Sequence, residues 1–597
     1  MNESPKSIWR RPWRGPAKWL AWFGLLAGAV FVIVLGIGLI TERLTPFSEL
    51  LVTALVISLA VAVIGILGLL FIKWLCSWRN LRRFLFGVAC FATLIALFYA
   101  VENWRGKRAW EQHKREWEAK GEKFTVAGVA PAPVPEDQNF ALTPLLKPVY
   151  DFTRVNGQVV WRDTNGLNRL QNLRADLRPD RESKDRLVVG GVDKGTFADL
   201  ESWREFYRGN TNYPQPAVPG TAAEDVLVAL GRFDSEFREL HEARLSRPYA
   251  RFPIPYEEEP AWEILLPHLA HIRGLGILTH VRAVARLEAG QSTAALDDLY
   301  LGFRLSDSIR DEPLLIDHLV RIAALHVSLQ TVREGLVRQA WSDAQLAELG
   351  QYLSSLQLLA EYKAAMRGER TLGTSGLDFL RRQGWRSRHL GYIADDDGRG
   401  GAAPSLNLMP GGWFYQNMLA ISKLHQKHLL ASVDEEKHRV FPDASNTFGE
   451  EIAAMPIRPY TVFAKLLMPA LGKVVRRSAR AQVAVDCARV ACALERQRLA
   501  KGEYPETLEA LAPQFFERIP NDVIDGKPLR YRRTADGGYT LYSIGWNQSD
   551  DNGEIAWRKD KSDAGVNLDE GDWGWQMPGK PIRHSAEGDF AESRFAL

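Results

Sequence analysis

Three histidine groupings carry the residue types and spacing that could do chemistry. His268 and His271 stand three apart, as do His425 and His428, and Asp317 directly precedes His318. Three apart on a helix puts two imidazoles on one face. Imidazole with carboxylate is the donor set of a zinc site or of a general acid–base pair. Zinc needs three or four converging ligands, and no single segment here supplies them, since no HExxH occurs. Each pair therefore reads first as core or surface histidine. The competing reading is a hydrolase site built from His268, His271, Asp317 and His318 on successive helices. Nucleophile motifs are missing: there is no GxSxG elbow and no SxxK, and GTSG at Gly373–Gly376 lacks the elbow spacing. No Walker pattern follows the glycines of GYIADDDGRGGAAPSLNLMPGG, which reads as a surface loop. Arg367, Glu369 and Arg370 offer guanidinium to a carboxylate or phosphate ligand, and intrahelical ion pairs explain them equally well. No catalytic residue is assigned.

The elements that must position these residues are mostly helical. Ala222 to Gln383 carries helical periodicity, with Leu269, Ile272, Leu275, Ile277, Val281 and Leu287 on a helix that stops at Gly290. STAALDDLYLGFRLSDSIRDE predicts a partner helix and EPLLIDHLVRIAALHVSLQTVREGLV a third. Ser342 and Gln345 form a capping box opening a fourth. Further helices are expected over Trp413–Ser432 and Pro456–Lys501, and a hairpin near Val159.

Ahead of this body lie three uncharged apolar runs, Trp19–Ile40, Leu50–Ile72 and Phe84–Val101. Each is about long enough to cross a hydrocarbon core of roughly 30 Å. Lys6, Arg10, Arg11, Arg14 and Lys18 precede the first run, and Lys73, Arg79, Arg82 and Arg83 fill the second loop. The positive-inside bias puts both in the cytoplasm and sends the polar body to the other side. Arg105, Lys107, Arg108, Lys114 and Arg115 after the third run oppose that assignment. The runs hold no Asp, Glu, Lys, Arg or His, which argues against ion-coupled transport.

The 597 residues carry a net charge of +3, with 25% charged and 46% hydrophobic. No overall field points to nucleic acid. Four cysteines form no disulfide framework and no CxxC pair. The expected organisation is a cytoplasmic N-terminus (1–18), three membrane helices (19–101), a charged stalk helix with a proline-rich linker (102–140), a mixed irregular and β segment (141–220), a helical body (221–478), a small α+β domain (479–580) and a tail (581–597).

Two family resemblances follow from particular residues. Ala283 and Ala295 flank the turn at Gly290, with Leu299 and Gly302 following, and this pair of helices resembles one tetratricopeptide hairpin. A second copy fails where Asp317 would occupy the small position, so the pair must pack on the next helices. Gly502, Tyr504 and Pro505 close a helix, followed by Leu508, Leu511, Pro520, Asp522, Gly526, Pro528, Tyr531, Leu541, Tyr542, Ser543 and Gly545. This order resembles the globular part of the type II secretion major pseudopilin, though Val523 and Ile524 replace its usual proline-tryptophan and no pseudopilin leader is present. The resemblance implies a helix with a β-hairpin, and calcium in the loop after the last strand. Asp550, Asp551, Asp569 and Asp572, with Glu570 nearby, are the candidate ligands for a structural calcium ion. The competing reading is a solvated acidic turn. The wider layout is similar to uncharacterised bacterial membrane-anchored proteins.

The expectation is thus a mainly α protein: three transmembrane helices, a helical bundle with solenoid-like character and a pseudopilin-like α+β end. Its expected role is a non-enzymatic binding or scaffold protein of the cytoplasmic membrane, with the body extracytoplasmic. Membrane lipid and an envelope protein are the expected partners. An envelope hydrolase and an accessory of secretion machinery are the alternatives.

Overall fold

The computed structural model describes residues 24–35, 47–155, 158–173, 187–192, 195–383, 409–557 and 566–579. The expected N-terminal segment 1–18, the tail 581–597, parts of the first apolar run and most of the loop 391–412 lie outside these residues. The described chain is mainly α with small antiparallel sheets, and it divides into two units, Met1–Asn103 and Trp104–Leu597.

In the first unit, helix α1 covers Gly24–Leu35 and α2 covers Phe47–Leu75. Helix α3, Trp78–Glu118, begins in this unit and ends in the second. α2 and α3 are long and apolar enough to cross a membrane, whereas the described part of the first run is a shorter apolar helix. None of the most apolar stretch of α2 or α3 is buried against protein. Leu55, Ile64, Phe86, Phe91 and Leu94 are exposed, which water would penalise and lipid would not. The hydroxyls in these stretches bond internally: Ser58 Oγ donates to the Ala54 carbonyl at 2.6 Å, and Thr93 Oγ1 to that of Ala89 at 2.8 Å.

In the second unit, the charged end of α3 extends the third apolar run as one helix and is packed along one face. Gly106, Trp110, His113 and Trp117 recur every three or four residues and make a stripe along an otherwise charged helix. Trp110 and His113 are buried, and His113 Nε2 lies 2.9 Å from Ser422 Oγ. A Cβ at Gly106 would stand 2.1 Å from the Gly412 carbonyl oxygen, so the backbones meet there.

The body is built on α4 (His268–Glu288), α5 (Ser292–Asp307) and α6 (Leu315–Val337). α4 stops as expected, with Gly290 at φ +73° turning the chain into α5. α5 therefore runs back along α4, and α6 packs on both. Helix α7, Asp343–Ser354, opens on the reciprocal capping box of Ser342 and Gln345. α8 (Leu358–Gln383) and α9 (Gly411–Leu424) follow, and α9 continues through a π-turn over His425–Leu429. α10, Val474–Lys501, is the central strut, with buried Ala479, Ala484, Ala488 and Ala491 letting neighbours approach closely. Cys487 and Cys492 are free and buried on it.

The hairpin near Val159 is present as β1 (Phe152–Val155) and β2 (Gln158–Trp161), and β3 (Val433–Asp434) pairs with β4 (Arg439–Val440). After α10 come β5 (Arg530–Arg533) and β6 (Tyr539–Ser543), antiparallel across a turn with Gly537 at φ +85°. A third strand, β9 (Trp573–Met577), pairs with β6, while β7 (Ile555–Trp557) and β8 (Val566–Gly571) form a separate ladder. All five residues of β6 are buried, and the sheet packs on α10.

Candidate functional site

The helical hairpin dictates where the chemistry gathers. His268 is the first residue of α4, Asp317 stands in the first turn of α6, and the turn between α5 and α6 carries Glu312. Antiparallel packing returns the end of α5 to the start of α4, so these three meet at one end of the set. Among the described residues they are the one group of three His, Cys, Asp or Glu whose ligand-type atoms lie within 4.8 Å of one another. Their exposures are 1%, 6% and 0% for His268, Glu312 and Asp317.

The imidazole is held on both sides. Its Nδ1 lies 2.7 Å from Tyr150 Oη and its Nε2 2.9 Å from Glu312 Oε2. The Phe252 ring covers it at a centroid distance of 4.2 Å. Burial pushes His268 down to about 4, so the ring is neutral at physiological pH. Burial pushes the Glu312 and Asp317 carboxyls well above their usual range, and the Glu312 charge raises Asp317 further. The Asp317 and Glu312 carboxyls lie within hydrogen-bonding reach of each other, and no side chain outside the group donates to either Asp317 oxygen, to Glu312 Oε1 or to the buried Tyr256 hydroxyl. Arg251 is the cation acting on Glu312, and it pairs with Asp311 at 2.9 Å. Two like charges about 4 Å apart repel by about 4 kcal/mol at an effective dielectric of 20. A proton shared between the carboxyls or a bound cation must therefore accompany them. One imidazole nitrogen and two carboxylates are a donor set that fits a transition metal.

The other candidates disperse. His318 turns to α10, with Nε2 2.9 Å from Ser478 Oγ, and burial pushes it down to about 3. His271 is buried but outside the converging group. His425 Nδ1 lies 3.0 Å from the Ile421 carbonyl oxygen, and His428 Nε2 lies 2.8 Å from Glu451 Oε2. Arg367 and Arg370 both pair with Glu122, not within their own helix, at 3.1 and 2.8 Å. Glu369 has its carboxyl pushed up to about 7 by burial.

The four acidic candidates near the C-terminus do not share one centre. Asp550 Oδ1 accepts from Tyr542 Oη at 3.1 Å and from the Asn552 amide at 3.0 Å, while Asp551 accepts from Asn547 at 2.8 Å. Asp572 accepts from the Gly553 amide at 2.6 Å, and burial pushes its carboxyl up to about 6. Asp550 and Asp551 act electrostatically on Asp572, so these three are neighbours. Asp569 is instead paired with Arg476 of α10 and lines a separate cleft.

That cleft has a volume of about 620 Å³ and opens to solvent where the helix Pro442–Ala454 faces the start of α10 and Trp546. Phe448, Ile452 and Trp546 give it an apolar floor, and Glu450, Lys473 and Arg476 line it with both signs of charge.

Sequence reasoning missed Glu312, Tyr150 and Tyr256. The one local signal was the acidic turn DEPLL between two expected antiparallel helices. Comparison with protein-family models, with curated proteins and with solved structures finds no match to this chain.

Proposed function

We propose that the chain is a membrane-anchored binding protein of the bacterial envelope, whose second unit holds a partner protein outside the cytoplasm. The observation that carries the reading is a contrast in access. The groups with catalytic character are buried at the end of the α4–α5–α6 set, whereas the cleft beside α10 is open, with an apolar floor and mixed charge. Such a surface suits a protein segment that inserts an apolar side chain between polar contacts. The exposed apolar faces of α2 and α3 supply the anchor, and the basic residues on both sides of the α2–α3 turn, Lys73, Arg79, Arg82 and Arg83, support the orientation. The helix–hairpin order after Val474 supports the pseudopilin-like reading of the C-terminal segment as a small docking fold.

The test is site-specific photo-crosslinking of the full chain in cells. Probes at Glu450 and Lys473 should trap the same discrete protein adduct, and a probe at exposed Leu499 on α10 should not. Adducts equally frequent from all three sites, or none from the cleft, overturn the reading. The convergence of His268, Glu312 and Asp317 favours the second reading, an envelope hydrolase, but substrate must then reach groups exposing no more than 6% of their surface. Loss of a hydrolytic activity in D317N, with the fold retained, would support it.

A further inference from the structure

We propose that His268, Glu312 and Asp317 form a structural site for one divalent transition metal ion of the zinc class, fastening the start of α4 to the α5–α6 turn. Two independent features lead to the same place. The ligand-type atoms converge within 4.8 Å from three separate elements. No side chain outside the group satisfies these atoms: both oxygens of fully buried Asp317 and Oε1 of Glu312 face only each other's carboxyl and the Leu314 backbone. An unpaired buried carboxylate is among the costliest groups a fold can keep, and a divalent cation neutralises two of them at once.

The remaining contacts suit a metal ligand. Tyr150 Oη beside Nδ1 gives the imidazole an outer hydrogen bond, as metal-bound histidines generally have. With the Nδ1 hydrogen directed at that oxygen, the Nε2 lone pair faces Glu312. Phe252 covers the ring and keeps water from competing. Tyr256, whose buried hydroxyl lacks a partner and which both carboxylates influence electrostatically, adds a further oxygen to the neighbourhood. An imidazole among the donors selects zinc, cobalt, manganese or iron over calcium and magnesium, which prefer oxygen-only shells. The burial of every ligand makes the role a staple between helices, not a catalytic centre with an open position. Gly368 of α8 belongs to the same construction. A Cβ there would meet the Pro313 carbonyl oxygen at 1.7 Å, so the turn bearing Glu312 is pressed against α8 by backbone contact.

The test uses the full chain, purified in detergent without chelator and with zinc as the probe. Mass-spectrometric metal analysis should find about one equivalent of transition metal per chain, the stoichiometry of a single such site. Cobalt exchanged into the chelated protein should give ligand-field absorption, and zinc should raise the melting temperature. D317N and E312Q should lose the metal and the zinc-dependent rise. H428Q, altering a histidine outside the group, should keep both. Y150F should retain the site with affinity weakened about 10- to 100-fold, as loss of an outer hydrogen bond implies. Wild-type protein that holds no metal above background and shows no zinc-dependent melting shift overturns the proposal and leaves a shared proton as the pair's counter-charge. Because the wild-type result decides, misfolding of a variant does not shield the proposal.

Discussion

Arg321 offers the sharpest quantitative check on how the helical body is held. It is fully buried on α6 and grips Glu361 of α8 through two nitrogens at 2.6 and 3.0 Å. A third nitrogen lies 2.8 Å from Asp307 Oδ1 at the end of α5, and Tyr352 of α7 donates to the other Asp307 oxygen at 2.8 Å. One guanidinium therefore ties three helices, and Asp307 links in the fourth. Burial alone would lower its proton affinity, but Glu361 and Asp307 more than offset this and hold it charged. Replacing it by methionine keeps much of the volume and removes the fully buried one of two cations on these mostly buried carboxylates, leaving the partly exposed Arg310 2.8 Å from Asp307 and 3.5 Å from Glu361. Breaking such a pair costs about 3–5 kcal/mol, chiefly through the charge left behind. The second unit has roughly 490 residues, and an unfolding entropy of about 2.1 cal/mol/K per residue gives about 1 kcal/mol per degree. With Arg310 still in place, R321M should thus lower the melting temperature of the detergent-solubilised protein by up to about 3–5 °C, read by tryptophan fluorescence. Neutralising both partners in R321M/E361Q/D307N should recover most of that loss, since the one charge then left without these carboxylates, Arg310, keeps about a third of its side chain in water. A drop under about 1 °C for R321M, or an equal drop in the triple variant, would refute the reasoning that charge compensation dominates this junction.

Two further predictions address acid sensitivity and topology. Burial lowers His318 to about 3 and His425 to about 4 from an ordinary 6.5, so the unfolded chain takes up protons first and stability is lost as pH falls below 6.5. Each group should cost up to about 2 kcal/mol by pH 5; urea midpoints followed from pH 7 to 5 should fall less steeply in H318Q, and an unchanged slope would contradict the assignment. In a background with Cys76 and Cys90 replaced, S549C should react with a membrane-impermeant maleimide added outside spheroplasts, while R79C at the start of α3 should not; the reverse pattern would invert the proposed orientation.

What the sequence made legible was local. The capping box at Ser342 and Gln345 and the stop at Gly290 follow from hydrogen-bonding and backbone rules that act within a few residues. The hairpin of β5 and β6 follows likewise from a strand alternation around a glycine turn. The segment after Trp104 continues the third apolar run as one helix, as expected, but its charge conceals the face by which it packs. Yet Gly106, Trp110, His113 and Trp117 mark a packing stripe at an alternation of threes and fours, and the helix buries it. Long-range placement was not legible. Asp569 is adjacent in sequence to the other C-terminal acids, but Arg476 of α10, far away in the chain, draws it into another environment.

The same limit explains the buried cluster. His268 and Asp317 were both noticed, but nothing in their spacing says that two successive turns return the chain to its starting end. Once α4, α5 and α6 are antiparallel, the first residue of one helix and the first turn of another must be neighbours, and the intervening turn must lie beside them. Glu312 is then the informative residue. A surface turn usually places its acids in water, where Asp311 can meet Arg251 in an ordinary exposed pair. Glu312, one residue later, is instead drawn into the interior beside a second carboxylate, a placement that hydrophobic packing alone would oppose. A fold that keeps two acids in such a place, with a neutral imidazole aimed at one of them, has a compensating positive charge in that space, whether proton or metal. Metal content distinguishes the two directly.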